Sequence, residues 1–118
     1  MDKKITYKLT VRLFTEEKCF GPGVAMLLHQ VQELHSLRAA AASLSMAYSK
    51  AWTILKNAER LMNCKLLHST AGGRNGGGAA LTEEAVALLV AYDGFCKELS
   101  AYGEQIFDEK FAYFIDKL

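Results

Sequence analysis

The chain has 118 residues, of which 51% are apolar and 23% are charged, and its net charge is +1. These values are typical of a globular domain and exclude a disordered, collagen-like or membrane-embedded chain. Residues 1–10 lack the apolar core of a signal peptide, and no apolar run reaches the ~20 residues of a membrane span. We therefore expect one domain with an additional long element, without membrane partners and located in the cytoplasm.

The charges are distributed unevenly along the chain. Residues 36–82 contain six Lys or Arg residues and one acid, Glu59, which gives a net charge of +5. Residues 83–118 contain three Lys residues and eight acids, which gives −5. A polyanion is therefore expected to bind to the middle of the chain and not to its C-terminal part.

The side chains that support catalysis or metal binding are scattered. An odd number of widely spaced cysteines fits a reducing compartment, and the cysteines and histidines show no metal-ligand spacing: Cys19, Cys64, Cys96, His29, His35 and His68. No Ser-His-Asp or Cys-His arrangement suggests itself. We therefore expect no metal, no other cofactor and no enzymatic activity.

The first predicted elements are a β-strand and a helix. Apolar side chains alternate with polar ones in the period of a half-buried strand at Ile5, Tyr7, Leu9, Val11 and Leu13. The sequence Gly21-Pro22-Gly23 then predicts a turn, and apolar residues at helical spacing predict a first helix over residues 22–35.

Two helices with a short connection follow. Ser36 is a candidate N-cap for a short alanine-rich helix over residues 37–44. After an interruption at residues 45–47, a third helix is predicted over residues 48–62, with an inward stripe of Ala51, Leu55, Ala58 and Met62. This pattern is typical of a helix-turn-helix.

A β-hairpin and one long helix complete the predicted elements. Residues 65–70 and 79–81 form two short strands joined by a glycine-rich loop. Thr82 is the predicted N-cap of a helix that continues almost to the C-terminus. Its heptad-spaced apolar stripe runs from Ala85 to Ile106 and then shifts by one residue to Phe107, Phe111, Phe114 and Leu118. Gly103 is expected to bend the helix near this shift.

The outward face of the third helix is the first candidate site. It carries side chains long enough to reach base edges and phosphates in a major groove: Tyr48, Ser49, Lys50, Thr53, Lys56 and Asn57. We expect direct base reading by Tyr48, Ser49, Lys50 and Thr53, and phosphate binding by Arg38, Lys56, His68, Thr70 and Arg74. The alternative is an ordinary solvated helix face.

The glycine-rich loop is the second candidate site. It matches neither a P-loop nor a dinucleotide-binding motif. With Arg74 and Asn75 at its tip, it is suited to probing a minor groove, although a surface loop without this role is the alternative. Trp52 lies one helical turn from Tyr48, and this spacing favours packing over base stacking.

The terminal helix is the third candidate site. Its apolar stripe is larger than one small domain can cover, so pairing with a second copy is expected. The predicted dimerisation residues are Leu88, Tyr92, Phe95, Leu99, Tyr102, Ile106 and Phe107. The alternative is that this helix folds back over its own domain.

Several segments together resemble one known family. Residues 20–23 (FGPG), 36–41 (SLRAAA), 48–52 (YSKAW) and the wing at residues 69–82 resemble the N-terminal DNA-binding domain of the ModE-type molybdate-responsive regulators. That domain is similar to the winged helix of LysR-type regulators. The resemblance implies a prokaryotic transcription factor that binds a pseudo-palindromic operator and dimerises through the first strand region and the terminal helix.

Two features depart from the family pattern. Family members usually have Gly and Ser at the turn and cap of the third helix, where this sequence has Ser45 and Ala47, which predicts a weaker or shifted cap. The Ser-Ala-Arg-Asn motif of the family's molybdate-binding domains is also missing. We therefore expect a stand-alone short form that does not bind molybdate directly.

Together these patterns predict a fold that is mainly α with small β content (α+β). A winged helix-turn-helix domain occupies residues 1–81, and a C-terminal dimerisation helix occupies residues 82–118. The predicted function is sequence-specific binding of double-stranded DNA by a homodimeric transcriptional regulator. The alternative is a winged-helix module that binds a protein partner and whose basic face is incidental.

Overall fold

The computed structural model describes residues 5–70 and 78–117. These residues form two short antiparallel sheets and five helices. The elements are β1 (Leu13–Phe14), β2 (Lys18–Phe20), α1 (Pro22–Leu34), α2 (Leu37–Ser43), α3 (Tyr48–Met62), β3 (Leu67–Thr70), β4 (Gly78–Leu81), α4 (Glu83–Lys110) and α5 (Ala112–Lys117). The predicted α+β class is confirmed.

The predicted first strand is wrong for most of its length. Of the described residues in this segment, only Leu13–Phe14 form a strand, which pairs antiparallel to β2 with an irregular register. The segment before them lies against α4 instead, where the Tyr92 hydroxyl donates to the Val11 carbonyl at 2.7 Å. Burial raises the pKa of Tyr92 to about 12, so this hydroxyl stays protonated. Alternating apolar and polar residues indicate that one face of a segment is buried, but they do not show that the segment pairs with another strand.

Helices α1 and α2 are defined by local signals at their ends. Pro22 lies in the first turn of α1, and His35 ends that helix in the left-handed conformation with φ 58°. Ser36 caps α2, because its hydroxyl accepts the Ala39 N–H at 3.1 Å. The small buried side chains of Ala40 and Ala41 let α2 approach the core closely.

The turn into α3 shows the predicted weak cap. Ser45 adopts a left-handed φ of 55°, a conformation that glycine adopts at lower cost. Ala47 occupies the N-cap with extended backbone angles and makes no side-chain hydrogen bond. Helix α3 still has the predicted bounds. In its inward stripe Ala51, Leu55 and Ala58 are buried, whereas Met62 is half-buried.

Strands β3 and β4 form the hairpin that follows α3. Leu67 pairs with Leu81 and Thr70 with Gly78. A Cβ atom on Gly78 would lie 2.6 Å from both the His35 carbonyl oxygen and the Thr70 Oγ1, so only glycine fits there without displacement. The hairpin therefore contacts the end of α1, and the Ala79 N–H donates to the His35 carbonyl at 3.0 Å.

Helix α4 has 28 residues, which corresponds to a length of about 42 Å. Thr82 caps it as predicted, because its hydroxyl accepts the Ala85 N–H at 3.1 Å. The break lies at Phe111 and not at Gly103, where the helix continues. A Cβ atom at Gly103 would lie 2.6 Å from the Tyr7 hydroxyl, so this glycine makes room for the Tyr7 ring.

The hydrophobic core lies between the first three helices and the beginning of α4. Its fully buried side chains include Phe20, Leu27, Leu28, Val31 and Leu66. Phe20 meets the Tyr92 ring edge-on at a centroid distance of 4.9 Å, which joins α4 to the rest of the core.

None of the helices in residues 5–70 and 78–117 combines the length and the apolar character needed to cross a lipid bilayer.

Candidate nucleic-acid interface

The outward face of α3 presents the predicted polar side chains to solvent. Ser49, Lys50, Thr53, Lys56 and Asn57 are all exposed, opposite the buried stripe of the helix. The Thr53 hydroxyl donates to the Ser49 carbonyl at 2.9 Å, which fixes its rotamer and leaves its oxygen able to accept a hydrogen bond. Helix α3 therefore offers both donors and acceptors along one face.

Arg38 and Tyr48 connect α2 to the beginning of α3. The Arg38 guanidinium carbon lies 4.2 Å from the centre of the Tyr48 ring. Such stacking orients the planar guanidinium, and its peripheral N–H groups can still donate to a phosphate. Both side chains are exposed, so this cation lies at the edge of the α3 face.

A cleft of about 330 Å³ separates α3 from the β3–β4 hairpin. Its lining includes Arg38, Tyr48, Trp52, Lys56 and His68. The Trp52 side chain is 48% exposed. The sequence-based assignment of Trp52 to packing therefore accounts for only part of this side chain and misses its position within the candidate interface.

Glu59, the only acid of residues 36–82, is directed inward and is only 9% exposed. Its Oε2 atom accepts the backbone N–H of Leu66 at 2.7 Å and that of Leu67 at 3.4 Å, and its Oε1 atom accepts from Lys56 Nζ at 3.2 Å. Burial raises the pKa of Glu59, but these hydrogen bonds outweigh burial and hold the pKa below its ordinary value. The carboxylate is therefore ionised at neutral pH and joins α3 to the hairpin. The ion pair also partly neutralises Lys56.

Arg60 extends the basic surface and was not among the predicted site residues. Its guanidinium donates to Asn57 Oδ1 at 2.7 Å and lies 3.8 Å from Glu17 Oε2. The first contact orients the Asn57 amide. The sequence could have indicated the position of Arg60 beside Asn57, because residues three apart lie on the same side of a helix.

The hairpin contributes fewer of the predicted residues. His68 is exposed and Thr70 is half-buried beside Gly78. The predicted residues Arg74 and Asn75 lie outside the described residues. The structure thus places Arg38, Tyr48 and Lys56 along the cleft together with His68. The other predicted residues of α3 are exposed but do not line this cleft: Ser49, Lys50, Thr53 and Asn57.

The predicted dimerisation stripe is divided between two environments. Phe95, Tyr102 and Ile106 are 51%, 62% and 36% exposed, respectively. Leu88 and Leu99 are half-buried.

Tyr92 and Phe107 do not belong to the exposed part of the predicted stripe. They are only 6% and 8% exposed, because Tyr92 packs on Phe20 and Phe107 packs on Tyr7 at a centroid distance of 4.9 Å. Both lie on the edge of the stripe that faces their own domain.

The described residues bring no three His, Cys, Asp or Glu side chains together as a metal site. Cys19, Cys64 and Cys96 are free thiols, and burial raises the pKa of Cys64.

Two short helices separated by a tight turn, with an exposed second helix and an adjacent hairpin, define a winged helix-turn-helix. This is a class of DNA-binding regulatory domains. The model of the lysR family of bacterial regulatory helix-turn-helix proteins matches residues 25–86, which is more than half of the chain. The chain belongs to this family of regulators, and the expectation that it is not an enzyme is confirmed.

Individual relatives support a closer likeness. Over 89 residues, or 75% of this chain, it is 36% identical to the transcriptional regulator ModE of Haemophilus influenzae, covering 33% of that protein. It is 32% identical to the molybdenum transport protein ModE of Herbaspirillum seropedicae and 33% identical to the transcriptional regulator ModE of Yersinia pestis, each over 75% of this chain. These matches cover 29% and 32% of those two relatives. The chain thus spans about a third of their length, and the ModE-like winged helix-turn-helix expected from the sequence is confirmed.

Proposed function

We propose that this chain is a transcriptional regulator that binds double-stranded DNA sequence-specifically as a homodimer. The observation that carries the proposal is the outward face of α3. There, exposed hydrogen-bonding and cationic side chains lie on a helix of a winged helix-turn-helix domain. The acid among residues 36–82 is turned inward and paired, so it does not repel phosphates from this face.

Within this proposal, α3 enters the major groove and the hairpin lies beside the backbone. Tyr48, Ser49, Lys50 and Thr53 read base edges, and Asn57 supports them. Phosphates bind to Arg38, Lys56, His68 and Thr70, and Arg74 and Asn75 act at the tip of the wing. Backbone contacts then supply much of the affinity and make it decrease with salt.

The exposed stripe of α4 supports pairing with a second copy. Phe95, Tyr102 and Ile106 repeat at spacings of seven and four residues, the pattern of a helix–helix seam. The chain measures 59 × 29 × 21 Å and has a radius of gyration of 17.9 Å. A compact domain of this length has a radius of gyration of about 13.5 Å, so α4 extends well beyond the core. We propose that residues 82–118 form the dimerisation element and residues 1–81 the DNA-binding domain.

The DNA proposal is tested with duplexes recovered by in vitro selection from a random library, compared with scrambled versions of the same length. Fluorescence anisotropy at two salt concentrations measures the affinity for each. Lys50→Ala is expected to reduce discrimination by about 1–3 kcal/mol at one base pair. Arg38→Ala is expected to weaken both duplexes equally and to reduce the salt slope by about 1.

The matched control is Lys97→Ala, which removes a positive charge from the exposed surface of α4 and should change neither property. Equal losses on both duplexes for Lys50→Ala would contradict its base-reading role. Binding that does not depend on salt, or the absence of an enriched sequence, would refute the proposal and favour the protein-binding alternative.

Sedimentation equilibrium of the full chain tests the dimer. Replacing Phe95 and Tyr102 with serine should shift the mass from dimer to monomer. The control Val90→Ser changes a side chain that is 67% exposed and lies about 140° around α4 from Phe95, so it should leave the dimer intact. A monomeric parent chain, or dissociation by the control alone, would contradict the proposed interface.

Two further parts of the proposal concern small ligands and location. No Ser-Ala-Arg-Asn motif occurs in the 118 residues, so we expect no heat of binding when sodium molybdate is titrated into the protein. Because the proposed partner is DNA in a prokaryotic cell, the proposal locates the protein in the cytoplasm.

A further inference from the structure

Trp52 occupies an unusual position for a large apolar side chain. It lies in the second turn of α3, is 48% exposed and lines the cleft between α3 and the hairpin. Single exposed apolar residues are common on protein surfaces and need no explanation. This one, however, lies among the cationic and hydrogen-bonding groups of the candidate interface, where its ring meets whatever binds there.

The neighbours of Trp52 form an aromatic edge with a cation on each ring. Lys56 Nζ lies 5.6 Å from the centre of the Trp52 ring, and Arg38 stacks on Tyr48 one helical turn earlier. The cations attract phosphates, whereas the rings offer mainly apolar surface. In a major groove, the apolar group on the base edges is the C5-methyl of thymine.

The neighbours of Trp52 along α3 indicate what its ring would meet in a major groove. Ser49 precedes it by three residues and Thr53 follows it directly, and both are exposed on the face assigned to base contacts. Lys56 follows Trp52 by one helical turn, and its Nζ lies over the Trp52 ring while it donates to Glu59. If α3 enters a major groove through this face, the Trp52 ring is expected to come close to the base edges.

We propose that Trp52 is a specificity-determining residue that packs against a thymine methyl group and so selects thymine at one operator position. This inference rests on the proposed function, because it requires α3 to enter the major groove. It adds an apolar contact to the hydrogen-bonding contacts assigned to Ser49, Lys50 and Thr53.

Uracil substitution tests the proposal without altering the protein. In the duplex recovered by selection, each thymine is replaced in turn with uracil, which removes only the methyl group. At one position the unmodified protein should bind about fourfold more weakly, as expected for the loss of one buried methyl group. Trp52→Ala should bind the thymine and uracil duplexes equally, whereas Trp52→Phe should retain part of the difference.

The control is Val90→Ala, an apolar truncation at an exposed site on α4 that should retain the full thymine preference. Circular dichroism establishes that each variant is folded. Because Trp52 is the only tryptophan of the chain, its emission also reports directly on this contact. The selected duplex should reduce its quenching by acrylamide.

The outcomes separate this inference from the proposed function. Enrichment of a sequence, together with loss of discrimination in Lys50→Ala, supports the proposed function. If every uracil duplex then binds normally, if Trp52→Ala retains the thymine preference, or if DNA leaves acrylamide quenching unchanged, the role of Trp52 is refuted. Failure to enrich any sequence overturns both.

Discussion

Replacing Glu59 with alanine tests the connection between α3 and the hairpin. The substitution removes the carboxylate that accepts the Leu66 N–H and pairs with Lys56 Nζ. The Leu66 side chain is fully buried. A buried donor left without an acceptor costs about 1–3 kcal/mol. Adding the lost contacts to Leu67 and Lys56, we expect a loss of about 2–4 kcal/mol in the free energy of unfolding. This is a large part of the ~5–15 kcal/mol typical of a domain.

The matched variant Glu59→Gln separates the hydrogen bond from the charge. Its amide oxygen can still accept the Leu66 N–H, so the expected loss is only about 1 kcal/mol. The two variants also differ from the parent chain in their response to acid. Because the pKa of Glu59 is lowered in the folded state, its contribution to stability is complete above its ordinary pKa and is lost as the pH falls through the lowered value. Neither variant can titrate at this position.

Urea unfolding followed by circular dichroism between pH 7 and pH 3 measures both effects. The parent chain should lose its advantage over Glu59→Gln as the pH falls below the ordinary glutamate value. Equal stability of all three proteins at pH 7 would show that the Leu66 contact contributes nothing. A constant difference between the parent and Glu59→Gln across the pH range would refute the assignment of a lowered pKa.

Two further substitutions test local features of the helices. Ala47→Ser should raise the free energy of unfolding by about 1 kcal/mol, because the N-cap of α3 has extended backbone angles but no side-chain acceptor; an unchanged melting temperature would contradict this. Gly103→Ala improves helix propensity, but its new methyl group meets the Tyr7 hydroxyl. It should therefore raise the free energy of unfolding, by up to about 1 kcal/mol, only when Tyr7 is also replaced by Phe. A double-mutant cycle of unfolding free energies compares Gly103→Ala in the parent chain and in Tyr7→Phe. Equal effects in both would contradict the close approach of Tyr7 to Gly103.

The helices were predictable because their signals are local. Ser36 and Thr82 both accept the backbone N–H three residues later, as expected of N-caps. The bounds of α3 follow from the spacing of its inward stripe and were predicted without error. The weak cap at Ala47 was predicted because the family that the sequence resembles usually has Ser at this position.

Features that depend on distant parts of the chain were not predictable in the same way. The alternation at residues 5–13 indicated a strand, but the structure supplies α4 as the neighbour of most of this segment. The heptad spacing grouped Tyr92 and Phe107 with Phe95. Tyr92 and Phe107, however, lie on the side of α4 that faces their own domain and are buried, whereas Phe95 is exposed. Periodicity identifies an apolar stripe but not which of its edges the chain itself covers.

The connection from α3 to α4 bears on how a dimer presents its two α3 helices. Glu59 of α3 accepts the N–H groups at the beginning of β3, and the Thr82 hydroxyl donates to the Lys65 carbonyl at 2.6 Å while it caps α4. The Thr82 N–H also donates to the Leu66 carbonyl at 3.0 Å. Hydrogen bonds therefore run from α3 through residues 65–66 to the first turn of the proposed dimerisation helix.

In a two-fold dimer built on α4, this connection fixes the direction in which each α3 helix points. Such a dimer requires its α3 helices to lie roughly 34 Å apart, or a multiple of that distance, to enter successive major grooves. Loosening the connection should therefore lower affinity for the paired half-sites more than affinity for a single half-site, even though Glu59 and Thr82 belong to no predicted DNA contact.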